Sequence, residues 1–312
     1  MGKASRAKRD GTRQERIAAQ QAAARRAEVR NRVLIASGSV VVVIAIVLAF
    51  VLVKMNSKPS TTAGGVSNGP TGTALSSVVT NATSVPASTL NTVGAGSGII
   101  ASGLPQAIKG GTPLTSGGKP EVLYLGAEYC PYCAAERWAM VVALSRFGSF
   151  SGLRTVHSGN VSGEVFPNTP TWTFYKSTYT SKYLTFTPVE MQTNVAASGG
   201  QGYTTLQTPT SAQQALLSKY DAPPYVQSSS AGAIPFMDFG NKYMLSGATY
   251  SPQVLQGKSW SQIAAALKDP TSPIAEAVDG TANYLTATIC KLTGNQPAAA
   301  CTPVVKQLEA KV

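Results

Sequence analysis

Cys130-Pro131-Tyr132-Cys133 is the stretch that most restricts how this chain can fold. It follows the apolar run Val122-Leu123-Tyr124-Leu125-Gly126-Ala127 and precedes a helix-like run from Ala134 to Phe147. A strand that turns into a helix at a cysteine pair puts the first thiol at the helix N-terminus. Unpaired backbone N–H groups and the helix dipole there favour a thiolate. Pro131 suits the first helical position, because its missing N–H would have been unpaired in any case. Cys133, one turn further on, is spaced to reach back and close a disulfide. Half of a zinc site, or two buried cysteines packing as small hydrophobes, are the alternative readings. The strand before and the helix after favour thiol–disulfide exchange.

A second constraint lies upstream. Residues 33–53 form an uncharged run of 21 residues, interrupted only by Ser37, Gly38 and Ser39. About 20 apolar residues span the hydrocarbon core of a bilayer. Residues 1–32 carry ten Lys or Arg against Asp10, Glu15 and Glu28. The positive-inside rule then keeps the N-terminus in the cytoplasm and exports the chain beyond Val53. A cleavable signal peptide has a shorter apolar core and a small-residue cleavage site, whereas Lys54-Met55-Asn56 comes next here. The expectation is a single-pass anchor in the cell membrane with an extracytoplasmic C-terminal domain. Seven of the chain's twelve net positive charges sit in residues 1–32, so the basic balance reflects topology and attraction to anionic lipid. No nucleic-acid partner is expected, since the basic tail lacks an aromatic residue for stacking.

The expected organisation is a basic cytoplasmic tail (1–32), a transmembrane helix (33–53), a flexible linker (54–84) and an extracytoplasmic domain (85–312). The linker rests on Pro59-Ser60-Thr61-Thr62-Ala63-Gly64-Gly65 and Asn68-Gly69-Pro70-Thr71-Gly72, which are small, polar and rich in turn formers. Pro86 to Val93 reads as a short helix. In the domain, strands are expected at Glu121 to Ala127, Leu153 to His157, Thr171 to Tyr175 and Tyr183 to Phe186, and a helix at Pro131 to Phe147. A helix opened by a Ser cap is expected at Ser211 to Tyr220. Pro235 to Phe239 and Lys242 to Leu245 read as a hairpin around Gly240-Asn241. Two helices close the chain, at Ser259 to Leu267 and Ser272 to Thr293.

The cysteine motif after a strand, with Ile234-Pro235 about 100 residues later at the start of a hairpin strand, resembles the thioredoxin superfamily. The block Leu123-Tyr124-Leu125-Gly126-Ala127-Glu128-Tyr129-Cys130-Pro131-Tyr132-Cys133-Ala134-Ala135-Glu136-Arg137-Trp138 is more specific. It resembles a membrane-anchored thioredoxin-like family catalogued as a domain of unknown function (DUF929). The resemblance covers about residues 85–312. It implies an α/β, thioredoxin-like fold with a helical/β insertion, preceded by the transmembrane helix and the linker. It also implies a cis bond at Ile234-Pro235 beside the thiols, with Tyr132, Ile234 and Pro235 holding substrate. The chain departs from the superfamily pattern at Tyr124, where many members carry a buried acid that serves the second thiol. Glu128 and Glu136 are the nearby acids and the candidate proton relays; an ion pair with Arg137 or a surface role is the alternative for Glu136.

Cys290 and Cys301 are expected to form a structural disulfide, with a second redox pair as the alternative. A zinc site built from all four cysteines is disfavoured by the helix start at Pro131, and neither a metal nor a cofactor is called for. His157, the only histidine, has no partner motif. Trp172, Phe174, Tyr175, Tyr179, Tyr183 and Phe186 read as core and strand pairing, with a substrate groove as the alternative. Two functions are expected of such a chain. The first is a membrane-anchored thiol–disulfide oxidoreductase with Cys130 as nucleophile and Cys133 as resolving thiol. It would act on cysteine-containing exported proteins and be recharged by a separate redox partner. The second is a non-catalytic binding or scaffold module of the cell envelope.

Overall fold

Strand β1, Lys119–Gly126, is the axis of the molecule. Val122 to Leu125 are all fully buried, as befits a strand covered on both faces. In the computed structural model, which describes residues 65, 67–199 and 202–312, strand β2, Thr185–Glu190, runs parallel to β1. The register sets Glu121 against Thr185 and Gly126 against Glu190. On the other side of β1 lies strand β3, Phe236–Phe239, antiparallel and paired through Phe236–Leu125 and Phe239–Val122. It folds back as a hairpin with β4, Tyr243–Ser246. The turn uses Gly240 and Asn241, both at positive φ, which is what a type I′ turn demands. Two-residue strands at Gln106–Ala107 and Thr115–Ser116 extend the sheet at β4 and β1.

Alternation along β1 splits the core in two, because successive side chains leave a strand on opposite faces. Leu123 and Leu125 join Phe236, Met244, Leu217 and Tyr220 on one face. Val122 and Tyr124 join the larger cluster on the other, with Trp138, Trp172, Phe174 and Met237. Helix α2, Pro131–Ser145, lies in that larger cluster and is buried nearly all round. A helix apolar on every side belongs in a core. Helix α4, Pro273–Leu292, packs along it. Helix α1, Gly72–Thr83, packs on α2 and on α3, Trp260–Ala266.

The expected fold class is corrected at several points. The described residues form a mixed α/β fold on a mixed sheet, with three separate two-stranded ribbons beside it. The strand expected at 153–157 does not enter the sheet. Arg154–His157 pairs only with Pro170–Thr173, so the parallel partner of β1 is the later strand β2. The linker expected over 54–84 is helix from Gly72, with Val78 and Ala82 buried in the core. Among the described residues no helix is long and apolar enough to cross a membrane. The basic tail (1–32), the transmembrane run (33–53) and the first part of the linker lie outside the described residues.

Smaller differences have local causes. The helix Ser211–Tyr220 is capped by Thr210, not by Ser211, because Gln213 stands where it can return the capping-box bond to Thr210. Ser259 and Ser272 cap α3 and α4 through their side chains. Cys290, near the end of α4, is bonded to Cys301 with Cα atoms 5.8 Å apart. The Arg146 guanidinium, just beyond α2, donates to the Ala300 carbonyl at 2.7 Å and so ties α2 to this closed loop. Replacing both cysteines by Ala should destabilise the fold by roughly 2–3 kcal/mol through regained chain entropy. Guanidinium unfolding of the two proteins would measure it, and an unchanged midpoint would show that the loop adds nothing.

Candidate functional site

The cysteine motif sits where β1 ends and α2 begins. Cys130 is the N-cap of α2 with extended backbone, and Pro131 opens the helix. The Cys130 sulfur accepts a hydrogen bond from the Cys133 backbone N–H at 3.3 Å, one of the helix-end donors that would otherwise lack a partner. Both thiols are free. Cys130 is 5% exposed and Cys133 is fully buried. The Cys130 thiol points at the Ile234 carbonyl oxygen, 3.6 Å away, and the Ile234–Pro235 bond is cis. Tyr132 is 40% exposed and meets Phe166 edge-on. The structure therefore gathers Cys130, Cys133, Tyr132, Ile234 and Pro235 at one place.

The two expected proton relays point elsewhere. The Glu128 carboxylate is fully buried and accepts from the Thr173 hydroxyl and the Gly65 backbone N–H. Glu136 is fully buried and accepts from the backbone N–H and hydroxyl of Thr249 at 3.0 and 2.8–2.9 Å. Burial pushes its carboxyl up to about 7, with Thr249 pulling the other way. It is neither on the surface nor paired with Arg137.

Arg137 pairs instead with Glu190 at the end of β2, Nε to Oε1 at 3.0 Å, both side chains fully buried. Its Nε also lies 3.1 Å from the Tyr124 hydroxyl, and Nη1 reaches Thr171 at 3.4 Å. Nη2 donates to Glu190 and to the Ala127 carbonyl. Gly126 makes this close approach possible, since a Cβ there would stand 2.1 Å from the Tyr124 hydroxyl. The sequence holds a signal for Arg137 that a search for acids passes over. It lies four residues after Cys133, on the same helix face. Glu190 carries no such signal.

The electrostatics separate the two thiols. Burial works against a charged Cys130, but the Cys133 side chain and N–H and the Arg137 charge outweigh it and bring the thiol below its ordinary range. Burial pushes Cys133 well up, and the neighbouring Cys130 adds to that. Of the two, Cys130 is the thiol more readily charged and Cys133 the one that keeps its proton. Burial likewise raises the Tyr124 hydroxyl well above its ordinary range, against the pull of Arg137.

His157 is engaged locally: its Nδ1 is 2.7 Å from the Ser158 carbonyl and 3.4 Å from the Asn194 amide. Among the described residues no group of three His, Cys, Asp or Glu is arranged to hold a metal. Phe174 and Phe186 stack edge-on in the core at 5.0 Å, and Trp172 packs on Trp138 at 4.7 Å. A family model described as a domain of unknown function (DUF929) matches residues 107–291, more than half of the chain. No curated protein and no solved structure matches it.

Proposed function

The chain belongs to the DUF929 family, and we propose that it is a thiol–disulfide oxidoreductase acting through Cys130 and Cys133. The observation that carries this reading is the free thiol pair at the start of α2, with the Cys130 sulfur accepting from the Cys133 N–H and lying 3.6 Å from the carbonyl of the cis Ile234–Pro235 bond. The spacing of Cys130 and Cys133 at a strand-to-helix junction supports it. Exchange runs through a mixed disulfide between Cys130 and a substrate sulfur: each thiolate attack breaks one disulfide and expels its other sulfur as a thiolate, with Cys133 as the thiol that leaves or closes the pair. Tyr132 and the Ile234–Pro235 backbone would receive the substrate chain. Glu128 and Glu136 are left out of this scheme, because their hydrogen bonds are committed to other groups.

The reading includes cysteine-containing exported proteins as substrates, a separate redox partner, and work outside the cytoplasm. The closed Cys290–Cys301 bond suits an oxidising compartment. The apolar run at 33–53 beside the basic N-terminal segment supports a membrane location. A second reading, a binding module with an inert cysteine pair, is favoured by one observation: Cys130 is only 5% exposed.

Cys133→Ala separates the two. Under the oxidoreductase reading, mixed disulfides through Cys130 accumulate in cells expressing the variant and disappear when Cys130→Ser is added. No trapped adducts, together with no insulin-reducing or refolding activity of the full chain, would sink it and leave the binding module.

A further inference from the structure

The buried ion pair beside the thiols bears on the direction of electron flow. Arg137 comes one turn after Cys133 on the same face of α2, and Arg137, Glu190, Tyr124 and Cys133 are all fully buried. The Ala127 carbonyl accepts from Arg137 and from the Cys130 backbone N–H, at 3.2 Å for the latter. The Ala127 carbonyl thus links the guanidinium to the backbone of Cys130. Glu190 at the end of β2 and Glu128 just after β1 oppose the guanidinium, but Glu190 also accepts from the Phe174 N–H and Glu128 from Thr173 and Gly65. Charges act strongly over short distances where water is excluded.

A disulfide is neutral, whereas a reduced pair holds a thiolate. A fixed cation beside the sulfurs therefore stabilises only the reduced form. Resting on the oxidoreductase reading above, we propose that Arg137 is a positioning residue that biases the Cys130–Cys133 pair towards the dithiol, so that the protein oxidises substrate dithiols. Two electrons pass from substrate to protein. A substrate thiolate attacks Cys130 of the protein disulfide, the Cys130–Cys133 bond breaks, and Cys133 leaves and takes a proton. The second substrate thiol loses its proton, attacks the substrate sulfur of the mixed disulfide, and displaces Cys130 as a thiolate. The substrate gains a disulfide and the protein holds the two electrons. Another disulfide, such as that of a partner protein or oxidised glutathione, restores the starting state.

The test equilibrates the full chain with reduced and oxidised glutathione and reads the Cys130–Cys133 disulfide fraction by thiol trapping. Ultraviolet absorbance of the Cys130 thiolate is recorded against pH alongside. Glu190→Gln, which removes the opposing carboxylate, is expected to shift the equilibrium towards the dithiol and lower the pH at which the thiolate forms. Arg137→Gln combined with Glu190→Gln removes the cation without leaving a buried carboxylate. It is expected to shift the equilibrium towards the disulfide by about tenfold, or ~30 mV for this couple. Arg137→Lys should stay near the parent value. Opposite shifts support the charge effect, which mere damage to packing would not produce. Exchange that proceeds with an equilibrium unmoved in the double variant, or moved the same way in all three, overturns the proposal. No exchange with glutathione in the parent protein overturns the oxidoreductase reading instead.

Discussion

Arg137→Leu should cost the protein about 3–5 kcal/mol, because it leaves the Glu190 carboxylate buried without its cation. That is a large part of the roughly 5–15 kcal/mol by which folded domains are usually favoured over their unfolded state. The double change Arg137→Leu with Glu190→Leu should recover much of it, since two apolar side chains can replace a buried pair at little cost. Glu190 has an escape: burial already raises its carboxyl, against the pull of Arg137, so it can take up a proton once the guanidinium is gone. The single variant should accordingly lose more stability at pH 8 than at pH 5. Urea unfolding of the three proteins at both pH values measures this. A single variant within about 1 kcal/mol of the parent, or a double variant no better than the single, would mean that the pair does not hold β2 to α2.

The second large effect is on stability against pH. Besides Glu190, four buried carboxyls sit above their ordinary range, burial being the first cause for each. Asp279 is raised to about 8, Glu136 and Asp238 to about 7, and Asp221 to about 6. Neither carboxylate oxygen of Asp279 has a hydrogen-bond partner, and Arg146 only partly offsets its burial. In the unfolded chain all four would ionise near pH 4. Between about pH 4 and pH 8 the folded state thus holds protons that the unfolded state has released. Stability must fall as the pH rises through that window, by up to about 1.4 kcal/mol per group per pH unit. The melting temperature should be lower at pH 8 than at pH 5 by on the order of 10 °C. Asp279→Asn should flatten the slope. A melting temperature equal or higher at pH 8, at constant ionic strength, would contradict these assignments.

How much of this could be read in advance depended on sequence distance. Strand β1 was legible from its apolar run, α2 from Pro131, and the β3–β4 hairpin from Gly240-Asn241, because each signal is local. Helix α1 was not. GTALSSVVTNAT lacks a charge and has no side-chain cap, so its Ser and Thr content reads as linker. Burial of Val78 and Ala82 against the rest of the fold decides its state, and no local rule contains that. The parallel pairing of β1 with β2 crosses some sixty residues, and the strand expected at Tyr183 to Phe186 covers only the first part of β2. At the site, the thiols were legible as types and spacing, and Pro235 through the resemblance to a known family. Glu190 was not, because 53 residues separate it from Arg137 and only the β1–β2 register brings them together.

The Ala127 peptide has a consequence for how this site can vary between relatives. The Ala127 carbonyl serves Arg137 and the Cys130 N–H, and neither contact uses the Ala127 side chain. Position 127 can drift among small residues without loss of the contacts, limited only by the space around its buried methyl group. What the site needs at this point is a backbone carbonyl, which a comparison of side chains alone would not register.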